Sequence, residues 1–173
     1  MRWRTAAMSL LVAAIGALLA ALLETSVLPE LRVDQAQPDL VLVLAVVWAM
    51  NVGVEDGLVV AFVGGLMLDL LTPDRPLGAT TLSLLVVTGV ALFVARLLAG
   101  TRWLATIGTA FALSWLYHVL LLAIMAVTAG VAILAFPARD LLVVALLDLV
   151  LAATLVLLAR PLLRRFGSAE RDW

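Results

Sequence analysis

Gly57-Leu-Val-Val-Ala-Phe-Val-Gly-Gly-Leu-Met-Leu-Asp69 is the stretch that decides how this chain is read. It is apolar and studded with glycine, and it ends on a carboxylate. Gly57, Ala61, Gly65 and Asp69 recur every fourth residue. On a helix they form one oblique ridge of small side chains. Small residues let helix backbones approach closely where lipid gives no hydrophobic drive to associate. An ionisable group at the end of such a ridge is expensive in a bilayer and calls for a partner or a role.

The composition agrees with a membrane setting. Of 173 residues, 65% are apolar and only 13% charged, and the mean hydropathy is +1.21. A soluble domain of this size has no use for that much apolar surface, whereas several bilayer spans do. The chain has no Cys, which excludes disulfides, thiolate metal sites and Cys nucleophiles. One His cannot build a His-rich metal site. No P-loop, nucleotide fingerprint or HExxH motif is present. No cofactor and no metal are therefore expected.

Six spans fit the pattern: about 6–23, 39–50, 57–71, 79–98, 103–128 and 140–159. The first is long enough to span and is read as retained rather than cleaved. Glu24–Gln37 reads as a polar connection, and Pro38 as the opening of the second helix. Asn51–Asp56 reads as a tight turn, and Thr72–Gly78 as a proline-bearing return. Pro137 precedes the sixth helix, and Pro161 is expected to end it. Helices 2 and 3 are short against the roughly 20 residues of an ordinary span. Two full spans are preferred there over a re-entrant hairpin. The whole chain is one transmembrane domain.

Orientation follows from arginine. Eight of the eleven Arg lie before the first span, beside the loop after the fourth, or after the last. Basic residues favour the cytoplasmic side, so both termini are expected there.

The remaining polar candidates are His118 and Asp148. His118 falls roughly 22 Å along helix 5 and Asp148 roughly 12 Å along helix 6, at 1.5 Å per residue. On neighbouring antiparallel helices these depths match, and the two are expected to pair. Ser114 lies one turn from His118. No glycine elbow surrounds any Ser, so a structural clamp is favoured over catalysis. The ridge on helix 3 fits either packing within the chain or a face for another subunit. Asp69 fits a solvated end residue, a cap for the loop that follows, or a partner to Arg.

Taken in order, these residues resemble a known family. Pro38-Asp39-Leu40 opens an apolar span. Gly64-Gly65-Leu-Met-Leu-Asp69 follows, then a proline loop ending Pro76-Leu77-Gly78, then a long span closing on Ala95-Arg96-Leu97. This resembles MreD, the rod shape-determining membrane proteins of bacteria. The resemblance implies an all-α integral membrane fold of six transmembrane helices, similar to the substrate-binding subunit of energy-coupling-factor transporters. It implies a non-enzymatic assembly subunit of the lateral wall-elongation complex in the bacterial cytoplasmic membrane. The implied partners are an MreC-like single-span protein, a RodA-like polymerase with its transpeptidase, and indirectly the MreB cytoskeleton. Pro38, Asp39, Gly64, Gly65, Asp69, Pro76, Leu77 and Gly78 carry the pattern. The rival reading is a vitamin-binding subunit of an energy-coupling-factor transporter.

Overall fold

A computed structural model describes residues 2–31, 37–73, 76–98, 102–129 and 138–166. They form α1 (Arg2–Ser26), a short 3-10 turn (Leu28–Leu31), α2 (Leu40–Asn51), α3 (Val54–Leu71), α4 (Ala79–Leu97), α5 (Arg102–Ala129) and α6 (Ala138–Phe166). Four of the described helical stretches are long and apolar enough to cross a membrane: Met8–Glu30, Ala79–Leu97, Leu104–Thr128 and Arg139–Leu158. The chain is an all-helical, multi-pass membrane protein.

The helix that fails the length test organises the bundle. At 12 residues, α2 is roughly 18 Å long, short of a hydrocarbon core of about 30 Å. Its sequence is apolar on every side, the pattern of a helix buried all round. Val41–Val47, Ala49 and Met50 are all buried. The other five helices pack around it in the order α1, α3, α4, α5, α6, and α2 touches every one of them. Among the described residues α1 and α6 do not meet, so the ring has an open seam there.

Small residues set the tightest crossings. A Cβ on Gly57 would lie 2.7 Å from the Cα of Ala49 in α2, and one on Gly65 would lie 2.7 Å from the Cα of Thr81 in α4. A Cβ on Gly64 would meet Val41 of α2. Ala61 is fully buried between them. The ridge is thus spent on packing within the chain. On α1, Ala13, Ala17, Ala20 and Ala21 make the matching buried face. The opposite faces carry exposed Leu11, Ile15, Leu19, Phe62, Leu66, Phe93 and Leu146, as expected of surface that meets lipid.

With the starts of α1, α3 and α5 placed below, polar pairs tie the lower end. Ser9 Oγ donates to both carboxylate oxygens of Asp56 at 2.8 Å. Asn51 Nδ2 donates to Thr106 Oγ1 at 3.2 Å and to the Val47 carbonyl at 2.9 Å.

Of the six expected spans, α2 and α3 are not among the four described stretches long and apolar enough to cross a membrane. Several expected bounds need correction. α1 runs to Ser26, so Glu24 is part of the helix and buried rather than in a polar connection. α3 begins at Val54, which leaves only Val52 and Gly53 as the turn after α2. Pro161 does not end α6, which continues to Phe166. A proline costs one backbone bond, and membrane helices tolerate that where the freed carbonyl is satisfied locally. Arg32, Arg75, Pro137 and Arg171 lie outside the described residues.

Candidate functional site

Because α2 is short, it starts well inside the bundle. Its first amides must find acceptors there, since the bilayer core offers no water to satisfy them. Two carboxylates from other helices supply them. The backbone N–H of Asp39 donates to Asp148 Oδ1 on α6 at 2.7 Å. The backbone N–H of Val41 donates to Glu24 Oε2 on α1 at 2.8 Å. Negative groups at a helix start also suit the positive end of its dipole. Asp148 is the eleventh residue of α6, which sets the start of α2 roughly 15 Å below the top of that helix.

The remaining atoms of this cluster come from α5. Ser114 Oγ donates to Asp148 Oδ2 at 2.6 Å. His118 Nδ1 lies 2.8 Å from the carbonyl of Ser114. Its Nε2 lies 3.3 Å from Asp39 Oδ2. Tyr117 is buried and its ring meets the imidazole edge-on, with centroids 5.1 Å apart.

The expected pairing of His118 with Asp148 is therefore part of a wider arrangement. The two are joined through Ser114 and Asp39, and the imidazole faces Asp39. Sequence depth put His118 and Asp148 at one level, and the ion-pair contact of the imidazole is with Asp39. It missed the entry of Asp39, because only the shortness of α2 lowers that residue to their level. Glu24 was missed as well. A signal for it was available: Ala13, Ala17, Ala20, Ala21 and Glu24 lie on one helical face of α1, and all five are buried.

Ser114, His118 and Asp148 are the residue types of a hydrolytic triad, wired in another order. In a triad the serine gives its proton to the imidazole and the carboxylate orients that imidazole. Here the serine hydroxyl donates its hydrogen bond to the carboxylate. That bond fixes the hydroxyl and does not raise its nucleophilicity through a histidine.

Asp69, near the end of α3, caps the start of α4. Its Oδ2 accepts from the backbone N–H of Gly78 at 3.1 Å and of Thr81 at 3.0 Å, and from Thr81 Oγ1 at 2.6 Å. Its Oδ1 accepts from the backbone N–H of Thr80 at 2.9 Å. Gly78 has φ of 92°, a left-handed conformation that suits glycine. That turn aims the amides of Gly78, Thr80 and Thr81 back at α3. The Pro76 carbonyl accepts from Ala79 N–H at 3.1 Å, closing the corner. Leu77 between them is 75% exposed, and Pro38 is half-buried ahead of α2.

Among the described residues, no group of three or more ligating side chains is arranged to hold a metal ion. Comparison of the chain with protein-family models, with curated proteins and with solved structures finds no match.

Proposed function

We propose that this chain is a non-enzymatic assembly subunit of the MreD type, supporting rod-type wall elongation in the bacterial cytoplasmic membrane. In this reading all six helices lie in the membrane, α2 entering only part-way, and both termini face the cytoplasm. Its direct partner is an MreC-like single-span protein. A RodA-like polymerase with its transpeptidase, and more distantly MreB, complete the assembly.

The observation that supports this most is where the intramembrane polar groups are spent. Glu24, Asp148 and Asp69 each hold the start of another helix of the same chain. The Ser114 hydroxyl, one turn from His118, is tied to a carboxylate. Groups used in this way favour a scaffold over a reaction centre. Most of the motif positions that carry the resemblance serve these joints: Asp39, Gly64, Gly65, Asp69 and Gly78. Leu77 is the exposed exception and the position best suited to touch a partner.

The test is affinity capture in mild detergent with the tagged chain at native level. Recovery of an MreC-like protein together with a RodA-like polymerase is the expected result. Recovery of ATP-hydrolysing subunits with a shared membrane coupling protein would instead establish the vitamin-transporter alternative. Orientation is tested separately in this Cys-free chain. A Cys placed at Asp34 or Ala138 should react with an impermeant thiol reagent in intact cells, and one at Gly100 or Ser168 should not.

A further inference from the structure

We propose that the open seam between α1 and α6 binds an anionic phospholipid, its acyl chains along the seam and its phosphate at the arginine-rich lower end. Among the described residues α1 and α6 do not meet, whereas every other neighbouring pair in the ring is packed. α2 packs against both helices and closes the back of the seam. The two helices that flank it carry apolar exposed residues, Leu11, Ile15 and Leu22 on α1 and Leu146, Val150 and Leu157 on α6. Thr154 of α6 is also exposed, but its hydroxyl is returned to the Val150 carbonyl at 2.8 Å. Hydrocarbon suits such a surface.

Charge and depth say which lipid. The two helices meet the start of α2 at one level, Glu24 of α1 at the Val41 amide and Asp148 of α6 at the Asp39 amide. From there both are followed downwards. Arg4 stands 20 residues from Glu24, and Arg164 stands 16 residues from Asp148, which is roughly 30 Å and 24 Å along the helices. α2 ends roughly 18 Å down. The arginine positions therefore lie beyond it, where a hydrocarbon core of about 30 Å gives way to headgroups. Arg2 shares the first turn of α1 with Arg4, and Arg160 and Arg165 share the last turns of α6 with Arg164. No acidic residue stands in α1 before Glu24 or in α6 after Asp148. Glu55 and Asp56 at the lower end belong to α3, which flanks α1 on the side away from the seam. Beyond α6 the chain adds Arg171 with Glu170 and Asp172, so Arg remains in excess on both sides of the seam. Arginine offers phosphate a planar fork of donors, and basic positions between helix ends at a membrane face attract anionic headgroups. One such headgroup would bridge two helices that the protein leaves apart. A zwitterionic headgroup adds an ammonium that the same arginines repel.

The full chain is placed in nanodiscs holding equal phosphatidylglycerol and phosphatidylethanolamine with matched chains, and the lipid it retains on release is read by native mass spectrometry. Both leaflets carry the same mixture, so the result is independent of orientation. Phosphatidylglycerol should be retained in preference. Arg4→Gln with Arg164→Gln should lower that retention about tenfold or more, since one basic residue at an anionic surface is worth about fivefold. Arg96→Gln with Arg102→Gln removes the same charge from the lower ends of α4 and α5, which pack on each other, and should leave retention nearly unchanged. Equal losses in both pairs would reduce the effect to general attraction by a basic face and overturn the seam site. Equal retention of the two lipids would overturn it as well, and a lipid-free mass of two chains would assign the seam to a second copy instead. Should the Arg4 and Arg164 variant fail to accumulate, the wild type decides. Phosphatidylglycerol with a photoreactive diazirine in its acyl chain should label α1 and α6 in excess over α3 and α4. Labelling spread evenly over the outer helices refutes the proposal.

Discussion

The start of α4 and the start of α2 solve one problem at different range. Each presents backbone amides on the upper side of the bundle, α2 well below its top, and each is held by carboxylates from other helices. At α4 the carboxylate is Asp69, nine to twelve residues before the amides it caps. One turn of chain delivers donor and acceptor together, and every contact is a donor meeting an oxygen. At α2 the caps come from Glu24, 17 residues before, and Asp148, 109 residues after. A second carboxylate and an imidazole join them. A local cap closes as the corner folds, whereas the α2 cap requires α1, α5 and α6 to be in place. The first is a joint within one corner of the chain, and the second draws side chains from α1, α5 and α6.

The largest expected effect comes from breaking the local joint. Asp69→Ala strands three backbone amides and the Thr81 hydroxyl, and each buried orphan costs about 1–3 kcal/mol. A loss of at least about 3 kcal/mol, or failure to accumulate, is expected in thermal unfolding in detergent. Asp69→Asn retains one acceptor oxygen and should lose roughly half as much. Wild-type stability in Asp69→Ala would show that water, not this carboxylate, satisfies the α4 start.

Glycines sharpen the comparison by separating packed from open positions. Gly65→Ala and Gly57→Ala force a Cβ to 2.7 Å from a neighbouring backbone, and overpacking costs about 1–3 kcal/mol. Gly16→Ala and Gly89→Ala meet nothing within 4 Å. Those two should be neutral or stabilising by up to about 1 kcal/mol, through helix propensity alone. Equal effects in both pairs would mean that the ridge is not a contact.

At the α2 start, smaller and coupled effects are expected. Interhelical hydrogen bonds in membranes average about 0.6 kcal/mol in double-mutant cycles. The cycle between Asp39→Asn and His118→Gln should show more coupling than that between Asp148→Asn and His118→Gln. The reverse order would place the imidazole on Asp148. Least of all, Ser9→Ala at the lower end should cost no more than about 0.6 kcal/mol, since Asp56 there is only half-buried.

Much of this was open to reading from residue order alone. The apolar runs and their interruptions set the helical segments to within a few residues, except at the end of α6, which runs past Pro161 to Phe166. The spacing of Gly57, Ala61, Gly65 and Asp69 pointed to a close crossing, because those positions share one face of a single helix, and left a cap as one of three roles for Asp69. The depths of His118 and Asp148 put them at one level, because helix rise is constant. Tertiary structure alone decided which groups meet. That α2 stops short, lies at the centre and begins level with Asp148 depends on five helices packing around it. No local pattern records which of their side chains will face its first amides. Short-range pairs are fixed by the geometry of one turn. Pairs more than a hundred residues apart are fixed only when the helices that carry them have docked.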